Sequence, residues 1–219
     1  MKMFYKESFY NNWMIHRIIK VSRYLLEWLD SIKDIIVCGT VLTKYAAPVA
    51  EGSTCTLSTP YRVLDELFSD ASFSEKDSFV DVGCGRGRVL AYLINKKFPG
   101  KMTGVELNDD IATFASNWAS KYSNIAIISG DAFALDYNNY SVIYMGQPFE
   151  PDLFYRFIEY LEKNLHHSVR LFYWVEQYSG GFLDNRKGWS LSKRDELIYS
   201  KGFFCCITPQ RYSVWEYIP

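Results

Sequence analysis

The chain contains 219 residues, of which 48% are hydrophobic and 22% are charged, and its formal net charge at pH 7 is −1. This length allows one domain with an appendage. The balanced charge gives no strong nucleic-acid signal, because nucleic-acid binding proteins carry a strongly basic surface. Five cysteines without paired metal spacing and only three histidines predict reduced thiols in a cytoplasmic protein and no metal site. No uncharged apolar run reaches the roughly 18–20 residues of a membrane span, so we expect none.

The first predicted element is an amphipathic helix between Trp13 and Val37. Its apolar residues recur at helical spacing, and charged residues of both signs stand between them. Such a helix either packs on the core of the protein or forms a lid over a substrate. A membrane-surface role is disfavoured, because the polar face of a membrane-surface helix is usually basic.

A loop separates this helix from the rest of the chain. Residues 39–60 contain Pro48, Gly52 and a run of serine and threonine residues, a composition typical of loops. We therefore divide the chain into an N-terminal helical appendage with its loop, residues 1–58, and a second domain, residues 59–219.

The second domain opens with a short predicted helix, Pro60–Phe68. Thr59 is predicted to be its N-cap and Pro60 to occupy its first position, because these residue types favour those places. An apolar strand over Phe79–Val82 then leads into the most informative stretch of the chain.

Three alternate glycines, Gly83, Gly85 and Gly87, connect this strand to a helix that begins at Arg88. Glycine permits a tight turn with positive φ and lets a ligand approach the backbone. The N–H groups of the first helical turn point at that ligand. A dinucleotide site would have a third glycine at the position of Arg88. Asp81, two residues before the first glycine, favours a cationic ligand group and would repel a phosphate.

The next strand ends near an acid. A helix over Arg88–Lys97 is stopped by a Pro-Gly pair, and the strand Lys101–Asn108 contains Glu106 close to its end. An acid about 20 residues beyond such a glycine loop is placed to accept hydrogen bonds from ribose hydroxyls. Glu106 is therefore predicted to bind a ribose.

Two further strands place residues at the same edge of the sheet. The helix Asp110–Lys121 leads to the strand Ile125–Ile128 and then to the tetrad Gly130-Asp131-Ala132-Phe133. The strand Ser141–Met145 leads to Gly146-Gln147-Pro148-Phe149. Because substrates of open parallel sheets meet the ligand beyond the carboxyl ends of the strands, the segment after the fourth strand is predicted to face the reacting group of the ligand.

The last part of the chain predicts two helices and three strands. A helix over Pro151–Leu165 precedes a strand over Val169–Val175, and a long loop follows. The final predicted elements are a helix over Leu191–Ser200 and strands over Phe203–Thr208 and Tyr212–Ile218, which form a closing hairpin.

The glycine loop resembles the first motif of the class I S-adenosylmethionine (SAM)-dependent methyltransferases in its residues D-V-G-C-G-R-G. The tetrad Gly130-Asp131-Ala132-Phe133 resembles a later motif of that family, in which the aspartate receives the adenine amino group and the next backbone N–H contacts the ring. The resemblance identifies residues 59–219 as a SAM-dependent methyltransferase domain. It implies a Rossmann-like α/β fold: a seven-stranded, mostly parallel sheet with one antiparallel strand and helices on both faces.

The resemblance also implies that the cofactor is S-adenosylmethionine, bound at the carboxyl ends of the strands. The segment just upstream of the glycine loop would close over its methionine end. The predicted cofactor-binding residues are Thr59, Tyr61, Asp81, Gly83, Cys84, Gly85, Glu106, Leu107, Gly130, Asp131, Ala132 and Gly146.

The catalytic prediction depends on the segment after the fourth strand. Gln147, Pro148 and Phe149 resemble the Asn/Asp-Pro-Pro-Tyr/Phe motif of amino-group methyltransferases, with one proline fewer and Gln in place of Asn or Asp. That motif implies a side-chain oxygen and a backbone carbonyl that accept hydrogen bonds from the attacking nitrogen. We therefore predict methyl transfer to an unidentified acceptor, an amine of a protein or of a small molecule.

Three alternatives share this fold class or this cofactor. A nicotinamide-dependent oxidoreductase is disfavoured by Arg88 at the third-glycine position. An aminopropyltransferase would carry an acidic amine pocket after the fourth strand, where Glu150 and Asp152 are the only acids. A catalytically silent SAM-binding or scaffolding protein stays open, because the acceptor motif is the weakest of those found.

Overall fold

The computed structural model describes residues 13–198, 201–203, 206 and 208–219, except for the side chains of residues 13–16, 18 and 19. This part of the chain contains seven strands in one sheet: β1 (Ser78–Val82), β2 (Lys101–Glu106), β3 (Ile125–Ser129), β4 (Val142–Met145), β5 (Val169–Trp174), β6 (Trp189–Leu197) and β7 (Gln210–Tyr217). It also contains the helices α1 (Trp13–Cys38), α2 (Tyr61–Leu67), α3 (Arg88–Asn95), α4 (Asp109–Ala119) and α5 (Pro151–Asn164).

The sheet has the strand order β3-β2-β1-β4-β5-β7-β6. β1 pairs in parallel with β2 and with β4, and the parallel pairing continues to β3 and to β5. β7 is antiparallel to both of its neighbours, β5 and β6. The predicted Rossmann-like sheet with one antiparallel strand is confirmed. Because the strand order reverses at β1, a crevice opens there beyond the carboxyl ends of β1, β2 and β4.

Both faces of the sheet are covered. Successive strand residues point to opposite faces, so Phe79 and Phe172 join one buried cluster and Val80 and Leu171 join the other. The first cluster includes residues of α1, α2, α3 and α4, and the second includes the apolar face of α5. The two clusters hold the carboxyl edge of the sheet in place from both sides.

The predicted helix Leu191–Ser200 is wrong in the described residues. Residues 191–197 belong to β6, while Tyr199 and Ser200 lie outside the described residues. Charged residues in this stretch suit a surface helix, and they equally suit an edge strand, where charge discourages pairing with another chain. Pairing with β7 along its length decides in favour of the strand.

The predicted strand Phe203–Thr208 falls partly on residues 204, 205 and 207, which lie outside the described residues. The described residues of this stretch are not in a strand. The following prediction, Tyr212–Ile218, is confirmed as β7, which starts two residues earlier than predicted and ends one residue earlier.

The N-terminus of α2 is capped from a distance. Thr59 was predicted to be the N-cap, which is wrong: Pro60 holds that position, and its side chain offers no capping hydrogen bond. The N–H of Tyr61 donates to Asp30 Oδ2 of α1 at 3.1 Å. The Thr59 hydroxyl lies instead 2.8 Å from the Tyr144 hydroxyl. A carboxylate from another helix thus takes over the role of a local cap.

Charged side chains attach α1 to the core. The carboxylate of Asp34 is fully buried and forms a bidentate pair with Arg88 of α3, with Nη2–Oδ2 at 2.6 Å and Nε–Oδ1 at 3.1 Å. It also accepts the Tyr61 hydroxyl and the Leu42 N–H, each at 3.0 Å. Arg88 occupies the position where a dinucleotide site would have glycine. Its ion pair with Asp34 gives the side chain a structural role there.

The segment after α1 lies across the carboxyl edge of the sheet. We call residues 39–58 the strap. It contains no helix, and its ordered contacts include isolated bridges between Ala46 and Thr56 and between Ser53 and Phe149. The predicted loop is thereby confirmed. No described helix combines the length and the apolar character that crossing a membrane requires.

Candidate active site

The glycine loop turns tightly at the carboxyl end of β1. Gly83 and Gly85 adopt positive φ values of 72° and 55°, and two N–H groups of the loop donate to the carbonyl of Val105, each at 2.9 Å. A Cβ at Gly83 would lie 2.6 Å from Pro148 Cβ, and one at Gly85 would lie 2.7 Å from Thr56 Cγ2. Any side chain at these positions would collide with the walls of the site.

Two cavities meet at this loop and share Gly83, Gly146, Thr56 and Leu57. The larger cavity is also lined by Glu106, Leu107, Gly130, Asp131, Ala132 and Phe149. The smaller cavity is also lined by Thr59, Asp81, Cys84, Gly85, Arg86 and Tyr144. All the predicted cofactor-binding residues except Tyr61 therefore line one cavity or the other.

Asp81 brings an unpaired carboxylate to the smaller cavity. The residue is 2% exposed, and its Oδ2 atom has no hydrogen-bond partner among the described residues. Burial, reinforced by the negative charge of Glu106, raises the pKa of Asp81 well above its usual range. A cationic or hydrogen-bond-donating ligand group beside it would offset the cost of burying this carboxylate.

Glu106 connects the glycine loop to the start of α4. Its Oε2 accepts from the Gly85 N–H at 2.9 Å, its Oε1 accepts from the Asn108 N–H at 3.0 Å, and the residue is 6% exposed. Each carboxylate oxygen can accept a further hydrogen bond. Glu106 can therefore hold the loop and still accept from hydroxyl groups of a ligand in the larger cavity.

Asp131 begins a short 3₁₀ turn at the carboxyl end of β3, over Ala132–Ala134. Its Oδ1 accepts from the Phe133 N–H at 2.9 Å. Gly130 before it adopts a φ of 153°, and no atom lies within 4 Å of the place where its Cβ would stand. This side of the larger cavity is therefore open to a ligand.

The predicted catalytic segment is tied to the strap. Gln147 has a φ of 55°, a left-handed conformation that residues other than glycine rarely adopt. The Thr54 hydroxyl donates to the Gln147 carbonyl, and the Thr54 N–H donates to the Pro148 carbonyl at 3.1 Å. The strap thus engages both backbone carbonyls, while the side chain of Gln147 is half-buried.

Two predicted site residues are packed in the core. The ring centroid of Phe149 lies 5.1 Å from that of Phe157 and 5.9 Å from that of Phe133, although Phe149 also lines the larger cavity. Tyr61 lines neither cavity, and its hydroxyl donates to Asp34 at 3.0 Å. Tyr61 therefore helps to hold α1, which carries Asp34, against the core.

The thiol of Cys84 is packed beneath the glycine loop. Its Sγ atom would lie 2.7 Å from a Cβ at Gly104. Burial, with the negative charges of Asp81 and Glu106, raises the pKa of the Cys84 thiol well above its usual range. A thiol kept protonated is a poor nucleophile. Over the described ranges, no group of three or more His, Cys, Asp or Glu side chains is arranged to hold a metal ion.

Tyr144 and the strap were not predicted as parts of the site. Tyr144 is paired with Asp81 in the parallel register of β1 and β4. Burial, with the charge of Asp81, raises the pKa of the Tyr144 hydroxyl. The only local sequence feature that could have indicated a role for Tyr144 in the site is its hydroxyl within an otherwise apolar strand. Thr56 and Leu57 of the strap belong to no motif, because tertiary contacts alone bring them to the cavities.

Comparison with known proteins identifies the domain around this site. Residues 79–165 match the family model described as a methyltransferase domain. Residues 79–165 therefore form a methyltransferase domain. The matched residues run from β1 to the end of α5. They include Asp81, Glu106 and Asp131 and the segment after β4.

Two curated relatives match part of this chain in sequence. Ribosomal RNA small subunit methyltransferase A from Clostridium acetobutylicum is 28% identical over 81 residues, which cover 37% of this chain and 29% of that protein. A protein-lysine N-methyltransferase from Saccharolobus islandicus is 28% identical over 92 residues, which cover 40% of this chain and 56% of that protein. The chain therefore spans only part of the length of either relative.

A solved structure shares the fold of most of this chain. The crystal structure of an RNA methyltransferase from Salinibacter ruber, in complex with S-adenosyl-L-homocysteine, superposes with a TM-score of 0.54 at 18% identity. The superposition covers 74% of this chain and 93% of that one. At this level of identity the likeness shows the fold alone.

Proposed function

We propose that this chain transfers a methyl group from S-adenosylmethionine to an amine. The observation that carries the proposal is the placement of two acids, Asp81 and Glu106, in adjoining cavities that share Gly83. SAM has a cationic methionine end for Asp81 and ribose hydroxyls for Glu106. A nicotinamide dinucleotide would instead bring a pyrophosphate close to the Asp81 carboxylate at the glycine loop, which is electrostatically unfavourable. The related fold bound to S-adenosyl-L-homocysteine supports the choice of cofactor.

The chain's own contribution to the reaction is to align the acceptor. When bound, SAM supplies a methyl group that its positive sulfur already makes electrophilic, so positioning is the main requirement. We assign the side-chain amide of Gln147 to accept a hydrogen bond from the attacking nitrogen, since Thr54 engages the carbonyls of Gln147 and Pro148. In this proposal Pro148 stiffens the turn, and Phe149 forms part of the cavity wall.

We assign the acceptor to the amines of proteins or small molecules. One relative is named for protein lysine and another for ribosomal RNA, and the net charge of −1 favours the first class over RNA. Incubating an extract of the source cells with radiolabelled SAM and separating protein, nucleic acid and small molecules tests this. Label confined to RNA would overturn the assignment to proteins or small molecules, and absence of label from every fraction despite SAM binding would overturn the enzymatic function.

Replacing Glu106 with Ala is expected to weaken SAM binding at least about tenfold, because each charge-assisted hydrogen bond is worth roughly 1.5–3 kcal/mol. Calorimetry measures the affinity. Glu106 also holds the Gly85 and Asn108 N–H groups, so the variant and the wild type are compared with adenosine and with 2′,3′-dideoxyadenosine. The ribose assignment predicts that the wild type prefers adenosine and that Glu106→Ala loses this preference. Equal losses for both ligands would show that Glu106 acts only through the loop.

Replacing Gln147 with Ala is expected to leave SAM affinity near normal and to reduce turnover by the roughly 2–4 kcal/mol typical of losing one preorganised polar contact. Steady-state kinetics with the acceptor found above measure this effect. Gln147→Gly is the matched control, since glycine accepts the positive φ of this position without strain. Both variants lack the amide, so both should be slow. Full turnover in Gln147→Gly would rule out a role for the amide.

A further inference from the structure

α1 turns its acids inward and its apolar stripe outward. Asp30 and Asp34 are buried next to Arg88, whereas an amphipathic helix on a protein surface ordinarily buries its apolar stripe. Seven apolar side chains on the opposite side of α1 are between 40% and 75% exposed. They form what we call the outer stripe: Val21, Tyr24, Leu25, Trp28, Leu29, Ile35 and Ile36.

The outer stripe has the spacing of a helix that pairs with another helix. Apolar residues of α1 follow one another at alternating steps of four and three positions: Val21, Leu25, Trp28, Ile32 and Ile35. Of these five, only Ile32 is half-buried. This alternation is the a/d pattern of a coiled-coil seam. The remaining residues of the outer stripe widen it beyond that seam, as in helices that pack into bundles.

The outer stripe is large enough for a stable interface. Aromatic side chains carry about 150–250 Å² each, so two partly exposed aromatic and five aliphatic side chains present on the order of 800 Å². This is about the area that one partner contributes to a standard interface, roughly 800 Å². It exceeds the largest apolar patch of a typical monomer, about 300–600 Å².

We propose that the outer stripe is a self-association surface, on which a second copy of this chain docks its own α1. The area of the outer stripe matches what one partner contributes to a standard interface. Charge disfavours a lipid surface: the polar residues of α1 include the Arg23–Glu27 ion pair and so carry both signs, whereas helices that lie on membranes carry mainly basic polar faces. In a twofold dimer both copies contribute the same patch, so the outer stripe covers itself.

Analytical ultracentrifugation of the full chain over a wide micromolar range tests the proposal. The wild type is expected to form a dimer, and Leu25→Glu combined with Trp28→Glu is expected to raise the dimer dissociation constant by more than about tenfold, since central aromatic residues dominate interface energetics. Both side chains are exposed in a single copy, and glutamate is a good helix former. The variant should therefore keep its fold, which circular dichroism and SAM binding verify.

The matched control is Ile218→Glu, which places the same charge on an exposed apolar residue outside α1 and should leave the dimer intact. A wild-type chain that sediments as a monomer at every concentration overturns the proposal. A dimer that the double variant does not weaken also overturns it. Co-sedimentation of a monomeric chain with anionic phospholipid vesicles, lost in the double variant, would assign the outer stripe to a lipid surface instead.

Discussion

We expect the Asp81→Asn variant to bind SAM much more weakly than the wild type and yet to unfold at a higher temperature near neutral pH. The carboxylate of Asp81 is buried, and one of its oxygens has no partner in the described part of the chain, so its charge costs stability until a cation binds beside it. Asn has nearly the same shape and no charge. Losing one charge-assisted interaction should cost roughly 1.5–3 kcal/mol of binding free energy, which calorimetry with SAM measures.

The pH dependence of unfolding fixes the sign of the effect on stability. Burial, with the negative charge of Glu106, raises the pKa of Asp81 in the folded chain above its unfolded value. The folded state then binds more protons, so the stability contributed by Asp81 is fully present below the unfolded pKa and is lost as pH rises through the folded pKa. The Tm advantage of Asp81→Asn should therefore grow with pH over this interval. A Tm difference independent of pH would contradict the assignment.

Cofactor binding should depend on the same proton in the opposite sense. An ammonium group needs ionised Asp81, so SAM binding to the wild type should tighten as pH rises towards the folded pKa and should release a proton. Calorimetry in two buffers with different ionisation heats counts the released protons. Asp81→Asn is the control, because it has no proton to release at this position. Equal proton release by both proteins would show that another group titrates.

The second large effect is expected at Arg88. Arg88→Met should lower the free energy of unfolding by roughly 3–5 kcal/mol, because it leaves the carboxylate of Asp34 buried without its charged partner. Urea denaturation at neutral pH measures this loss. Part of this lost free energy should come from weaker packing of α1 against the core, because Asp34 belongs to α1 and Arg88 belongs to α3.

Two further variants separate the ion pair from a general loss of packing. Arg88→Met combined with Asp34→Leu removes both charges and should recover most of the stability, because an apolar pair of similar volume often replaces a buried ion pair without loss. Asp70→Ala breaks the surface pair with Lys193, 2.7 Å apart, and should lower stability far less than Arg88→Met, because exposed ion pairs contribute little. A double variant no more stable than Arg88→Met would argue that side-chain volume, and not charge, holds α1.

Local sequence patterns predicted the residues that follow the strands. Asp81 and Glu106 lie close to the carboxyl ends of β1 and β2, and Asp131 follows β3, so their spacing along the chain determines where they meet once the parallel sheet forms. The structure brings Asp81 and Glu106 close enough for the charge of one to affect the other. It also places β3, β2 and β1, after or within which these acids lie, as parallel neighbours in the sheet.

Features that depend on distant residues could not be predicted. Asp30 caps α2 from another helix, so the local capping rule wrongly selected Thr59. The charged stretch of β6 becomes a strand because β7 pairs with it. The inward face of α1 depends on Arg88, which follows Asp34 by more than fifty positions, and helical periodicity alone cannot reveal that acids are the buried side.

The strap gives both cavities a wall from the N-terminal part of the chain. Thr56 and Leu57 line each cavity together with Gly83 and Gly146 of the sheet edge. A ligand that fills these cavities therefore contacts the chain on both sides of residue 58, and its binding free energy adds to the cohesion of the two parts. This linkage is reciprocal. A change that loosens the strap therefore lowers the affinity for the ligand. Ligand binding in turn stabilises the strap and the helix α1 that precedes it.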